Sequence, residues 1–176
     1  MIGLFSALRR GAIPSLGIAA TLTASPAYAA QPSAVVDLQQ RAACVSAAAE
    51  RYAVSAPLVY AIIRTEGGKT GRTSGRNRNG SVDLGLMQVN EIHLPELARL
   101  RITREMVIYN ECLNIFVGTF ILSRELNNNK ADFWTNVGAY NSRTACEKFY
   151  ALGKDCPNIE YQKKVISHLT DILQGH

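Results

Sequence analysis

Leu58-Val59-Tyr60-Ala61-Ile62-Ile63-Arg64-Thr65-Glu66 and, across a polar loop, Asn79-Gly80-Ser81-Val82-Asp83-Leu84-Gly85-Leu86-Met87-Gln88-Val89-Asn90 decide how this chain folds. The apolar run from Leu58 to Ile63 reads as a buried helix, and Gly67 and Gly68 stand where it would end. That places Glu66 at the inner end of a buried helix, where water is scarce. Desolvation disfavours a charged carboxylate, so such a group keeps a proton near neutral pH, as a general acid must. From its position alone Glu66 reads equally as a solvent-facing residue near a helix end.

The second stretch tips the balance. Asn79-Gly80 is a tight-turn dipeptide. Ser81, Asp83 and Gly85 alternate with Val82 and Leu84, as in a short strand. The chain then turns apolar through Leu86, Met87 and Val89, with Gln88 and Asn90 interleaved. A turn studded with amides beside a proton-holding acid suits a sugar, whose hydroxyl and acetamido groups need paired donors and acceptors.

Outward from there, the N-terminus reads as a leader. Arg9 and Arg10 form a positive region, residues 12–23 an apolar one too short to span a bilayer, and Ala27-Tyr28-Ala29 a small-x-small cleavage signal. The expectation is a signal peptide, 1–29, cut after Ala29, and one exported, soluble domain, 30–176, with no membrane association afterwards. Loss of Arg9 and Arg10, with no acid, takes the formal charge from +5 to +3. A modest positive charge suits an acidic polymer. Arg64, Lys69, Arg72, Arg76 and Arg78 gather in and around the loop after Glu66. They read as a solvated loop or as a cleft rim that attracts acidic peptides. The loop lacks aromatic residues to stack bases, which speaks against nucleic acid. Cys44, Cys112, Cys146 and Cys156 are an even set, read in an exported domain as two disulfides with three possible pairings. No C-x-x-C pair occurs, and His93, His168 and His176 are not spaced with the cysteines, which speaks against zinc.

The rest reads as helices. An alanine-rich helix is expected over 36–54, with Leu38, Val45 and Tyr52 inward. Ser55 stands as an N-cap, with Pro57 in the first turn that follows. Residues 67–84 form a polar loop with at most a small hairpin. A short helix is expected at 95–101, and Thr103 caps another turn. Over 111–126, Cys112, Ile115, Phe116, Thr119, Leu122 and Leu126 recur at three and four, one face of a long central helix. Asn127-Asn128-Asn129 ends it. Asp132 caps a helix over 133–141, Thr144 and Glu147 are spaced as a capping box, and 159–173 is a last amphipathic helix.

Glu66, then Gly-Leu-Met-Gln at 85–88, then Ala139-Tyr140-Asn141, resembles the lytic transglycosylase (SLT) family. The nearest branch resembles the small periplasmic enzymes that accompany type IV secretion, conjugation, type III secretion and pilus systems. Residues 79–90 are also similar to the equivalent stretch of c-type lysozymes. The resemblance covers most of residues 30–176, and it rests on three motifs in order. It implies a mainly α, lysozyme-like (α+β) fold with a small β-hairpin beside the cleft. It also implies a monomer acting on peptidoglycan in the periplasm, with no cofactor, no metal and no nucleic acid. The disulfide reading favours Cys44–Cys112, where this branch places its cysteines, tying the N-terminal helix to the central one. It favours Cys146–Cys156 as a short local closure. Two positions depart from the family pattern: Gly67 where a serine usually follows the acid, and Ser142-Arg143 where Ala-Gly usually follows Tyr-Asn.

The implied chemistry cleaves between MurNAc and GlcNAc, with Glu66 first as acid and then as base, and closes a 1,6-anhydro ring. Tyr140 then points its hydroxyl at Glu66 and positions it. Asn141 caps its helix end or joins the site. Gln88 and Asn90 bind acetamido groups or satisfy buried backbone, and Met87 walls a sugar subsite. Ser81 lies in the same Ser-x-Asp-x-Gly context as Asp83. Asp83 stands where c-type lysozymes carry their second carboxylate; it is either the partner in a hydrolytic muramidase or a residue that orders the turn. Trp134 reads as core, and His93 as structural or exposed. A weakly catalytic wall-binding or assembly component is the third reading.

Overall fold

Alanine-rich sequence carries the first helix, α1 (Ser33–Tyr52), in the computed structural model, which describes residues 33–128 and 131–175. The expected leader, 1–29, and Asn129 lie outside the described residues. Val45, Ala48 and Ala49 of α1 are buried, but Leu38 is 63% exposed, against expectation. The cause is register. Cys44 meets Cys112 and Arg41 meets Glu111, so α1 before Arg41 runs past the start of the helix it packs on.

Helix α2 (Ala56–Glu66) buries Leu58, Val59, Ala61, Ile62 and Ile63. Pro57 sits in its first turn; Ser55 holds the N-cap position in extended conformation, with no side-chain cap bond. Gly67 ends the helix in the left-handed region, φ 61°, and its N–H donates to the Ile63 carbonyl at 3.1 Å.

The polar loop leads into a two-stranded antiparallel hairpin. Strand β1 (Asp83–Leu84) pairs with β2 (Val89–Asn90), Asp83 opposite Asn90 and Leu84 opposite Val89. The strand is shorter than the alternation suggested, because Gly85 turns left-handed (φ 68°) immediately after Leu84. A 3₁₀ turn, Glu91–His93, leads to α3 (Leu94–Ala98) and α4 (Arg104–Tyr109), the latter capped by Thr103 accepting from the Met106 N–H.

Helix α5 (Glu111–Leu126) is the axis of the fold, capped by Asn110. The sequence showed one apolar face; the structure uses two. Ile115 and Leu122 join the core formed with α1 and α2, while Val117 and Ile121 join a second core with Leu84, Val89, Leu97, Val107 and Ile108. A helix between two cores is buried almost all round, and its periodicity is blurred accordingly.

Helix α6 (Phe133–Ala139) is capped by Asp132, whose carboxylate accepts from the Trp134 and Thr135 N–H groups. It stops two residues short of the expected end, leaving Tyr140 and Asn141 in the following turn. Helix α7 (Glu147–Tyr150) starts after Cys146, not through a Thr144–Glu147 capping box. Cys146 is bonded to Cys156, and that bond anchors the segment where α7 begins. Helix α8 (Pro157–Leu173) packs on α2 and α6. Both disulfides, Cys44–Cys112 and Cys146–Cys156, are formed as the sequence reading favoured. Among the described residues no helix is long and apolar enough to cross a membrane.

Candidate active site

Glu66 ends α2 half-buried, and the docking of α8 gives it a partner. The Tyr161 hydroxyl donates to Glu66 Oε1 at 2.5 Å. Burial pushes the Glu66 pKa up from 4.5 to about 7. The Tyr161 hydrogen bond acts against that rise, the charge of Asp83 adds to it, and Lys164 opposes it. A carboxyl group in this state is populated both as acid and as carboxylate at neutral pH. It can give a proton and take one back.

Tyr161 was not singled out in the sequence. It lies on the inward stripe of α8, four residues before the fully buried Val165. A tyrosine in such a stripe needs a partner for its hydroxyl, and that was the available signal. Tyr140, which the resemblance aimed at Glu66, instead donates to the Met87 carbonyl at 2.9 Å. Its ring stacks on Tyr161, centroids 6.4 Å apart. Burial first, then the charges of Glu66 and Asp83, push the Tyr140 hydroxyl well above its ordinary range. Tyr140 therefore backs the tyrosine that holds the acid.

The hairpin approaches Glu66 through glycine. A Cβ on Gly68 would lie 2.5 Å from the Leu86 carbonyl and 2.8 Å from Gln88 Nε2, so only glycine lets the end of α2 meet the turn. That turn is left-handed at Gly85 and again at Gln88, φ 49°. Gln88 Nε2 donates to the Gly85 carbonyl at 2.7 Å, the backbone-satisfying alternative of its two readings. Met87 is fully buried against Gly118, in core and not as a wall of a sugar subsite. The reason is Asn114, also unforeseen. It is fully buried on α5, accepts from the Met87 N–H at 2.8 Å and donates to the carbonyls of Leu84 and Val107 at 2.8 and 2.9 Å. These bonds draw the turn down onto α5.

Asp83 is surrounded by side-chain donors. Asn90 Nδ2 reaches it at 2.6 Å, Asn77 Nδ2 at 3.1 Å and Ser74 Oγ at 3.4 Å. Ser81 is buried and joins the same net through Asn77, Asn79 and Asn90. Asn90 Oδ1 also accepts from the Ile92 N–H. Asn141 is exposed, its Nδ2 3.5 Å from the Pro157 carbonyl. Glu66, Gly68, Gln88, Asp83, Tyr140 and Tyr161 thus form one neighbourhood, whereas the contact of Asn141 is with the start of α8. No group of His, Cys, Asp or Glu among the described residues is arranged to hold a metal ion.

A central helix between two cores, with an acid at the end of α2 facing a small amide-rich hairpin, is the lysozyme-like architecture. The chain belongs to the transglycosylase SLT domain family, whose model matches residues 43–155. It is 35% identical over 102 residues to the invasion protein IagB of Salmonella typhimurium, covering 58% of this chain and 63% of that protein. It is 35% identical over 108 residues to the protein IpgF of Shigella flexneri, covering 61% and 70%. It is 29% identical over 130 residues to a peptidoglycan-binding-like protein of Escherichia coli O157:H7, covering 70% and 74%. The match to IagB spans less than two thirds of that relative's length.

Proposed function

We propose that this chain is a peptidoglycan lytic transglycosylase that cuts the MurNAc–GlcNAc bond and leaves 1,6-anhydro-MurNAc ends. The observation that carries the reading is Glu66: a half-buried carboxyl with a pKa near 7, held by a tyrosine hydroxyl at 2.5 Å. Glu66 protonates the glycosidic oxygen as its bond to C1 breaks. The sugar's acetamido oxygen stabilises the charge at C1. Glu66, now a carboxylate, removes the proton of the C6 hydroxyl, and that oxygen closes on C1. No water is consumed and no second carboxylate is needed, unlike most glycosidases. Tyr161 favours the ionised form, which helps the first proton leave. Ser81, Asp83, Gln88 and Asn90 shape the sugar-facing side of the hairpin, with Asn141 at its edge. In this reading the enzyme acts in the periplasm after loss of residues 1–29. It opens the wall locally for a secretion, conjugation or pilus apparatus, a role supported by the names of its relatives, one an invasion protein and one peptidoglycan-binding-like.

One observation favours a second reading. The charge of Asp83 is felt at Glu66, as in a two-carboxylate muramidase. The three donors on Asp83 weigh against it as a nucleophile. Mass spectrometry of muropeptides released from sacculi by the oxidised protein separates the two. Anhydro products, about one water lighter than reducing ends, support the transglycosylase; reducing ends support the muramidase. Glu66→Gln should abolish release by at least about 100-fold. Release unaffected by that change would leave a wall-binding component.

A further inference from the structure

Ser142-Arg143 is the sequence departure that the reaction above does not use, and it lies in the turn that follows Tyr140. That turn is gripped from two sides. On one side is Asn158, buried in the first turn of α8. Its Nδ2 donates to the Ser142 carbonyl at 3.0 Å and to the Thr135 carbonyl of α6 at 3.1 Å, and its Oδ1 accepts from Gln162 Nε2 at 2.6 Å. Both ends of the amide are therefore engaged. The amide lies against Gly138, where a Cβ would come within 2.5 Å of Asn158 Cγ, so only glycine admits it. The Gly138 carbonyl in turn accepts from the Ser142 N–H at 3.0 Å. On the other side, Arg143 is anchored to the buried Glu125 of α5 through Nε, at 3.0 and 3.1 Å, and through Nη2. A buried carboxylate left without that partner would be strongly destabilising.

The gripped elements carry the two tyrosines of the site. Tyr140 lies between Gly138 and Ser142, both in contact with Asn158, and Tyr161 follows Asn158 by one helical turn on α8. One amide thus fixes the end of α6 and the start of α8 against each other, and the two rings stack across that junction at 22°. The charged and titratable groups acting on Glu66 are Tyr161 and Lys164 of α8 and Asp83 of β1, and Tyr140 feels the charges of Glu66 and Asp83 in return. Tyr161 reaches the carboxylate at 2.5 Å, a bond that weakens steeply if its helix shifts or turns. We infer that Asn158 is a positioning residue for the acid: it locks the start of α8 onto α6 and the turn beyond, so that the Tyr161 hydroxyl stays on Glu66, and the Arg143–Glu125 pair braces the turn that it grips. This rests on the reading of Glu66 as the catalytic acid. Ser142-Arg143, in place of Ala-Gly, makes the turn a fixed strut.

The test follows the alkaline limb of activity in Asn158→Ala, in Tyr161→Phe and in the two combined. Loss of Asn158 should move the limb to higher pH by at least about half of the movement in Tyr161→Phe, and should lower kcat about three-fold with KM held within about two-fold. In the Tyr161→Phe background it should move the limb no further, because the hydroxyl that it positions is gone. A role in packing alone lowers the melting temperature and leaves the limb in place. That outcome, or an equal further movement in the double variant, overturns the assignment. If Asn158→Ala does not fold, Arg143→Gln with Glu125→Gln decides instead, since that pair avoids a buried unpaired carboxylate. A limb moved in the same direction is expected there, and an unmoved limb overturns the assignment. NMR titration of the isotope-labelled Glu66 carboxyl in the same variants gives a readout free of catalysis. A wild type that releases no muropeptides sinks the catalytic reading, and the titration still decides this one.

Discussion

Glu66 concentrates the residue-scale argument. The folded protein keeps its proton at a pH where the unfolded chain, with its ordinary value of 4.5, has already lost it. Stability contributed by the protonated, buried form is therefore present at low pH and drains away as pH rises from about 4.5 to about 7. Glu66→Gln should raise the melting temperature more at pH 8 than at pH 5; an equal shift at both would show a carboxyl with an ordinary pKa. The same titration should set the alkaline limb of activity near pH 7, since the first step needs the acid. Tyr161→Phe removes the donor that stabilises the carboxylate, so the limb should move to higher pH while activity at neutral pH falls about three- to ten-fold. Tyr140→Phe frees only the Met87 carbonyl and should leave the limb much nearer its wild-type position.

At the scale of elements, the hairpin is too short to hold itself. Two residues per strand pair across a left-handed turn, and isolated hairpins are marginal in water. Its place is fixed by Asn114 from α5 and by the close approach that Gly68 allows from α2. Asn114→Ala strands the Met87 N–H and the Leu84 and Val107 carbonyls, and should cost about 3 kcal/mol in chemical denaturation. Asn114→Ala should also lower activity at temperatures where the protein remains folded, because Gln88 and Asp83 ride on the same turn. Full stability with full activity would contradict this account of the hairpin.

At the scale of the molecule, two disulfides constrain different things. Cys44–Cys112 spans 68 residues and ties α1 to α5; Cys146–Cys156 spans 10 and fixes the start of α8. By chain entropy the first should contribute about 4 kcal/mol and the second about 3. Replacing each pair by alanine and comparing unfolding in denaturant checks the order. The second pair carries a further expectation. Tyr161 lies five residues after Cys156, so loosening that start should shift the pH limb of activity as Tyr161→Phe does, whereas breaking the first pair should not.

Much of this was legible in the sequence because it is local. The run before Glu66, the glycine that ends α2, the caps at Thr103 and Asp132, and the bounds of α5 follow from periodicity and from backbone groups seeking partners nearby. The motif order carried the family. What required tertiary structure lies between residues distant in the chain. Tyr161 meets Glu66 across 95 positions, Asn114 meets the hairpin across 27 and 30, and Arg143 meets Glu125 across 18. Tyr140 and Met87 carry family motifs, yet the motif does not say which hydroxyl reaches the acid or which side chain faces the core. That is decided by how α8 and α5 pack. The sequence determined that an acid would end a buried helix beside an amide-rich turn. The packing of α8 and α5 decided that acid's partner and surroundings, because burial and hydrogen bonding at one atom sum over every element that reaches it.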